Sequence, residues 1–117
     1  MTGTDPLVRL TAAAIRLPDA VESTTVHHPS FKVRKKTFAL FADADRPAAW
    51  LKSTTANQRA LVATAPDRFF VPPYLGPKGW VGVYLDADAD WAEVEELVVE
   101  GYRLAAPKTL VRRLDEQ

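Results

Sequence analysis

The alternation of apolar and polar residues over residues 22–52 constrains the fold of this chain more than any other feature. A period of two is typical of β-strands, whose successive side chains point to opposite faces of a sheet. Phe31 and Val33 share one face in this pattern, and residues 37–41 and 48–52 continue it. The segment therefore predicts an antiparallel meander of three or four strands joined by tight turns.

Helical patterns stand on both sides of the meander. A first helix begins after Thr4 or Asp5, either of which can cap it, and Pro18 ends it. A second helix is expected over residues 55–64, and the clearest strand of the chain over residues 80–85. The loop between them is rich in proline and aromatic residues, which predicts an ordered loop because disordered linkers are poor in aromatic rings.

A third helix begins at Asp90, which stands three residues before Glu93 as in a capping box. Gly101 lies inside this helix at a cost of about 1 kcal/mol relative to alanine, so we expect close approach to a neighbouring element there. Pro107 opens a last short helix. The predicted order is α-β-β-β-(β)-α-β-α-α. We therefore expect one α+β domain over residues 1–117, with helices packed on an antiparallel β-sheet.

The composition is typical of a globular protein. The chain has 117 residues, of which 47% are hydrophobic and 26% charged, and it contains no cysteine. No apolar run approaches the ~20 residues that cross a bilayer, and the N-terminus lacks the pattern of a secretory signal. We therefore expect a cytoplasmic protein with no membrane partner, no disulfide and no sulfur-ligated metal.

The charges of the chain are balanced. Lysine and arginine together number 15, as do aspartate and glutamate, so the formal net charge is zero. Strong non-specific nucleic-acid binders usually carry a clear positive excess, because phosphate neutralisation supplies most of their affinity. A neutral total argues against a highly basic protein but still allows binding through a local patch.

Several blocks of sequence are similar to those of one family. They are Leu17-Pro18, His28-Pro29-Ser30-Phe31-Lys32-Val33, Lys36-Thr37-Phe38-Ala39, Pro73-Tyr74, Gly79-Trp80-Val81, Trp91 and Tyr102-Arg103-Leu104. Through these blocks the chain resembles the MmcQ/YjbR-like proteins over residues 17–108. The resemblance implies a small bacterial domain with a fold compared to those of CyaY and of secretion chaperones, often described as DNA-binding.

Two positions depart from the pattern of similar sequences. Lys35 stands in the hairpin turn where those sequences tend to have glycine. A lysine there must either accept a left-handed conformation at some cost or use a different turn. Gly101 stands where they tend to have serine, so any polar role of that serine is absent from this protein.

The predicted hairpin concentrates positive charge. Lys32 precedes a turn predicted over residues 34–36, all of which are basic. These side chains either lie along a phosphate backbone, as the family resemblance implies, or form a solvated face that protects an edge strand. Because no base-reading helix is recognisable, sequence-specific readout is not predicted. The candidate phosphate contacts are Lys32, Arg34, Lys35, Lys36, Lys78, Lys108 and Arg112.

An aromatic groove is the alternative binding feature. Phe69, Phe70, Tyr74 and Trp80 stand among prolines, and with His28 they can line a groove that stacks bases or holds a peptide. Core filling is the ordinary role of aromatic residues in a small domain. The groove candidates are His28, Tyr74 and Trp80, and exposure of Tyr74 or Trp80 would favour a binding role.

No catalytic constellation is recognisable. His27 and His28 are adjacent, so on a strand they point to opposite sides and form no metal pair. Asp86, Asp88 and Asp90 imitate the start of an EF-hand loop, which then lacks its glycine and its glutamate. We therefore predict no catalytic residue, metal or cofactor. Two binding hypotheses remain, a nucleic-acid-binding module and a chaperone-like module for proteins or peptides.

Overall fold

The computed structural model describes residues 5–25, 27–86 and 88–117. Within these ranges the chain forms four α-helices, a short 3-10 turn and a six-stranded antiparallel sheet. The arrangement confirms the predicted α+β class and, apart from one extra short strand, the predicted order. The elements are α1 (Pro6–Ile15), β1 (Ala20–Thr25), β2 (His28–Val33), β3 (Lys36–Asp43), β4 (Pro47–Leu51), α2 (Thr55–Thr64), β5 (Phe69–Phe70), the 3-10 turn (Gly76–Lys78), β6 (Val81–Tyr84), α3 (Trp91–Ala105) and α4 (Lys108–Asp115).

The strand order in the sheet is β1-β2-β3-β4-β6-β5, and each neighbouring pair is antiparallel. The first four strands form the predicted meander. β6 then pairs with β4, and the two-residue strand β5 pairs with the outer edge of β6. The sequence pattern does not predict β5, because Phe69 and Phe70 alone are too short to show a period.

The helices bury one face of the sheet. α3 contributes Val94, Val98 and Tyr102, each at most 1% exposed, and α1 contributes Leu10 and Ala14. α2 and α4 pack against the same core. Residues directly opposite each other on paired strands share a side of the sheet, so the strand register identifies this helix-covered face. Its strand residues are Phe31, Val33, Ala39, Phe41, Ala49, Leu51, Val81 and Val83.

Gly101 brings α3 unusually close to the sheet. A Cβ atom at this position would lie 3.0 Å from the carbonyl oxygen of Lys52 and 3.1 Å from that of Phe38. Both neighbours are main-chain atoms, which cannot move aside as a flexible side chain can. The close approach expected from the sequence is therefore present, and it holds α3 against the ends of β3 and β4.

Side-chain caps fix the starts of the helices. The Asp5 carboxylate accepts a hydrogen bond from the backbone N–H of Leu7 at 2.8 Å, and the Asp90 carboxylate accepts one from Glu93 at 3.3 Å. The alternative cap Thr4 lies outside the described residues. None of the helices in the described ranges is long and apolar enough to cross a membrane.

The face of the sheet opposite the helices is named the open face. At one end of the strands, β2 and β4 finish and β3 and β6 begin. This end of the sheet is named the hairpin end, and it is marked by Val33, Lys36, Leu51 and Val81. The opposite edge, with the β3–β4 turn and the loop between β6 and α3, is named the turn end.

Candidate functional site

The β2–β3 hairpin closes through an unusual turn. Val33 pairs with Lys36, so the turn consists of two residues, Arg34 and Lys35, and the three-residue turn predicted over 34–36 is wrong. Arg34 has a φ of 49° and Lys35 a φ of 71°. Two successive left-handed residues are the pattern of the tight hairpin turns that asparagine and glycine usually supply. The hairpin therefore presents two cations at some cost in backbone strain.

Asp19 connects the hairpin turn to α4. Its Oδ2 accepts hydrogen bonds from Arg34 Nε at 3.2 Å and Arg34 Nη2 at 2.8 Å. Its Oδ1 lies 4.0 Å from Nη1 of Arg113 on α4. Elements far apart in sequence thus meet around one carboxylate, and the basic turn and the basic helix form one continuous surface.

More cations than carboxylates occupy this hairpin end. Lys35, Lys36, Lys108 and Arg112 are exposed, and within the described ranges no carboxylate lies within ion-pairing distance of them. Arg103 is different, because it donates to Asp115 at 2.5 Å and this contact holds the pKa of Asp115 below its ordinary value. Lys35 and Lys36 follow Arg34 directly in the chain, and Lys108 and Arg112 lie on α4, the helix whose Arg113 approaches Asp19.

The remaining two predicted cations lie near this cluster but outside it. Lys78 is exposed and stands just before β6, on the same edge of the sheet as the hairpin turn. Lys32 is partly buried and pairs with Thr37 on β3. Because its neighbours Phe31 and Val33 face the helices, Lys32 points to the open face. The side chain of Lys32 therefore belongs to the sheet surface and not to the turn.

The turn end of the molecule carries the opposite charge. Its two arginines are both ion-paired, Arg46 with Asp86 at 2.7 Å and Arg68 with Glu93 at 2.6 Å. The hydrogen bond from Arg46 holds the pKa of Asp86 below its ordinary value. Further carboxylates surround these pairs, some of them around a cavity of 470 Å³. They are Asp43, Asp45, Asp67, Asp88 and Asp90.

The neutral total charge therefore conceals two oppositely charged ends. The number of charges can be read from the sequence, but their positions in the fold cannot, because these depend on which loops meet at each end of the sheet. A net charge of zero consequently says little about the local field at the hairpin end, where like charges lie within about one Debye length of each other.

A row of side chains crosses the open face. The strand register places Leu40 beside Trp50, Trp50 beside Gly82, and Gly82 beside Phe70. A Cβ atom on Gly82 would lie 2.3 Å from Cζ of Phe70, so the Phe70 ring rests directly on this glycine. The Phe70 ring therefore covers Gly82, directly beside Trp50.

Other aromatic rings extend this row. His28 lies against Trp50, with ring centroids 5.9 Å apart, and Phe70 lies against Tyr84 at 4.7 Å. The guanidinium carbon of Arg46 is 3.7 Å from the centroid of the Tyr84 ring. Trp50, Phe70 and Tyr84 are all partly exposed and line a shallow groove with an alanine floor. Of the predicted groove residues, His28 takes part in this surface.

Tyr74 is the most exposed large hydrophobic residue, with 89% of its surface accessible. Its φ is 66°, and the N–H of Leu75 donates to the carbonyl oxygen of Pro73 at 2.7 Å. Tyr74 is thus the centre of a three-residue turn of the rare positive-φ kind, which is strained for a bulky residue. Strain of this kind concentrates at functional sites.

The prediction that Trp80 lines the groove is wrong. Trp80 is 5% exposed, so its ring is unavailable to a ligand in a groove. Sequence cannot separate Trp80 from Tyr74, because both are aromatic residues near proline and glycine. Their different exposure follows from how the loop folds over α2.

Gln58 holds that loop in place and was missed by sequence reasoning. Its Nε2 donates to the carbonyl oxygen of Gly76 at 2.8 Å and to that of Trp80 at 2.6 Å. The side chain is 6% exposed, which is rare for glutamine unless its polar atoms are bonded. No pattern in the sequence distinguishes a glutamine that bonds a distant loop from an ordinary exposed glutamine on a polar helix.

The described residues contain no group of three or more histidine, cysteine, aspartate or glutamate side chains arranged to hold a metal ion. The site features are therefore a cationic end, an aromatic sheet face and a strained exposed tyrosine. They supply charge, stacking surface and shape.

The comparison with known proteins identifies the kinship. A sequence model of the YjbR family matches residues 15–104. The chain belongs to the YjbR family. The resemblance inferred from the sequence blocks is thereby confirmed, and the matched range includes the hairpin, the open face and Tyr74.

One solved structure shows that this YjbR fold recurs at low sequence similarity. The Deinococcus radiodurans protein DR2400, which has a DUF419 domain, superposes with a TM-score of 0.78 at 22% identity. The match covers 95% of this chain and 91% of that one. Among curated proteins, no sequence matches this YjbR chain.

Proposed function

We propose that this YjbR protein is a binding module, without catalytic activity, that contacts nucleic-acid phosphates through its hairpin end. The observation that carries the proposal is the position of Asp19 between Arg34 and Arg113. Arg34 of the hairpin turn and Arg113 of α4 both approach this carboxylate, so cations from two separate segments lie on one surface. That convergence is what a phosphate-binding site requires in a chain of zero net charge.

The strained turn supports the same proposal. A lysine in a left-handed conformation is less stable than glycine there, and the side chain of Lys35 is exposed to solvent. A buried or edge-protecting role would not need this residue at the tip. The exposed ammonium at the tip of the hairpin is well placed for contact with a backbone phosphate.

The test is charge reversal at the tip with a matched control. Lys35→Glu and Arg59→Glu each change the net charge equally, but Arg59 is exposed on α2, outside the hairpin and α4. Lys35→Glu is expected to weaken binding of a fluorescent oligonucleotide about ten-fold and to reduce its salt dependence. Arg59→Glu should have a much smaller effect. Equal effects of the two variants would contradict the proposal.

A second candidate function is a chaperone-like module that binds proteins or peptides. The exposure of Tyr74 favours it, because an aromatic ring that is 89% accessible is a common anchor for macromolecular partners. The open face supplies a shallow groove beside it. Binding of an unfolded polypeptide that is lost in Tyr74→Ala and unaffected by Lys35→Glu would support this candidate over the first.

A further inference from the structure

We infer that the open face binds single-stranded nucleic acid, with unpaired bases stacked on Trp50, Phe70 and Tyr74. This inference rests on the proposed function and names its substrate class. It places the bases on the sheet and the phosphates at the hairpin end, which are adjoining parts of one surface.

The first support is the geometry of the rings. Trp50 lies on β4 and Phe70 on β5, two strands away, so their positions are separated by about 10 Å across Gly82. The floor of the adjoining groove consists of small residues, including Ala42 on β3 and Ala48 on β4. Flat rings on a sheet above such a floor form a platform for bases, because every base has a stacking face.

The second support is charge. The strand register places no aspartate or glutamate of the described strands on the open face, since Glu22 and Asp43 share the side of Phe31 and Phe41. Lys32 is on that face, while Lys36, which pairs with Val33, and Lys78, just before β6, stand at the hairpin end. A strand with its bases on Trp50 can thus extend its backbone toward Lys32 and the hairpin end, away from Asp45, which lines the groove at the turn end.

Tyr74 supplies a further stacking surface. Its strained turn holds the ring in solvent, while Gln58 holds the segment that follows it through Gly76 and Trp80. Pro73, the residue before it, lines the groove that also contains Trp50 and Phe70. An exposed ring on a fixed loop loses little conformational freedom when a base stacks on it.

Stacking on these rings requires bases that are not already paired. In a duplex the faces of the bases are covered by their neighbours, so only the phosphates remain available to the protein. A single strand can use both the rings and the cations. We therefore expect preference for single-stranded over duplex nucleic acid, with little dependence on base sequence.

The experiment uses a fluorescein-labelled single strand of about 12 nucleotides, a size within the usual range for such surfaces, and the matched duplex. Fluorescence anisotropy of the full chain is expected to give about ten-fold tighter binding of the single strand. Trp50→Leu and Tyr74→Ala should each weaken single-strand binding about five-fold to 100-fold and leave duplex binding unchanged. Because Tyr74 is exposed, its variant keeps the test valid if Trp50→Leu folds poorly.

The outcomes separate this inference from the proposed function. Equal binding of single strand and duplex, with both aromatic variants binding like the wild type, would overturn the inference. The proposed function would then still be tested separately by Lys35→Glu. Absence of binding to either probe would overturn both. Binding of unfolded β-casein that depends on Tyr74, with no oligonucleotide binding, would assign the open face to polypeptides and overturn the inference.

Discussion

The hydroxyl of Tyr102 donates a 2.7 Å hydrogen bond to the main-chain carbonyl oxygen of Pro18. Tyr102 is fully buried near the end of α3, and Pro18 is buried in the turn between α1 and β1. The next residue is Asp19, whose carboxylate accepts hydrogen bonds from Arg34. The bond from Tyr102 therefore anchors the segment that carries Asp19 beside the basic surface.

Replacing Tyr102 with phenylalanine tests this anchor. The substituted phenyl ring would still pack edge-on against Phe38, whose centroid is 5.6 Å from that of Tyr102, but the Pro18 carbonyl would lose its donor. We expect Tyr102→Phe to lower the free energy of unfolding by about 1–2 kcal/mol, measured by urea denaturation. Tyr74→Phe is the control, because its hydroxyl lies in solvent and its loss should change stability little.

Tyr102 also makes the stability of the protein fall at alkaline pH. Burial, assisted by the charge of Asp19 and opposed by Arg113 and Arg34, raises the pKa of Tyr102 above its ordinary value of 10.0. The unfolded chain loses this proton first, so stability falls as pH rises above that value. We expect the advantage of the wild type over Tyr102→Phe to be constant below about pH 10 and to shrink above it. A constant difference in unfolding free energy at all pH values would contradict this.

Lys35→Gly should separate stability from binding. Glycine removes the cost of a left-handed lysine, so we expect the free energy of unfolding to rise by roughly 0.5–1 kcal/mol. Oligonucleotide affinity should fall, and its dependence on the logarithm of salt concentration should weaken by about one. Lys36→Gly is the control, because it removes the same charge from strand β3 and should lower stability.

Asp19→Asn should strengthen nucleic-acid binding. The change removes the carboxylate that Arg34 contacts and that lies 4.0 Å from Arg113, leaving both guanidinium groups available to phosphate. We expect a several-fold gain in affinity at low salt that diminishes as salt is added. Because the ion pairs are exposed, the loss of stability should stay below about 1 kcal/mol. Unchanged or weaker binding would place the phosphate contacts elsewhere.

Gln58→Leu tests the support of the Tyr74 loop. Leucine keeps a similar volume but removes the side-chain donor from the carbonyl oxygen of Trp80 and from that of Gly76, which then accepts from Gly79 alone. We expect the free energy of unfolding to fall by about 2 kcal/mol and amide exchange of residues 76–80 to accelerate. Asn57→Leu, an exposed change on the same helix, should leave both measurements nearly unchanged.

Residue patterns of short range were enough to predict much of the fold. The period of two over the first strands, the caps at Asp5 and Asp90 and the glycine at position 101 all act between close neighbours or through local geometry. The same holds for the family blocks, which the match to residues 15–104 confirms. Such signals are visible in a sequence because they depend on spacing alone.

The candidate site was only partly predictable. The sequence analysis named exposure of Tyr74 or Trp80 as the feature that would favour a binding role, and it could not distinguish the exposed Tyr74 from the buried Trp80. It named the basic turn but missed the role of Asp19, and it missed Trp50 as the centre of the open face. Each of these depends on which strands and loops become neighbours.

The sequence by itself determined the α+β class, the meander and the family, because periodicity, capping and turn chemistry are properties of neighbouring residues. Only the tertiary structure decided that a neutral chain has a cationic and an anionic end and an aromatic face. Charge separation and ring placement depend on residues distant in the chain, and strand pairing together with helix packing brings those residues together.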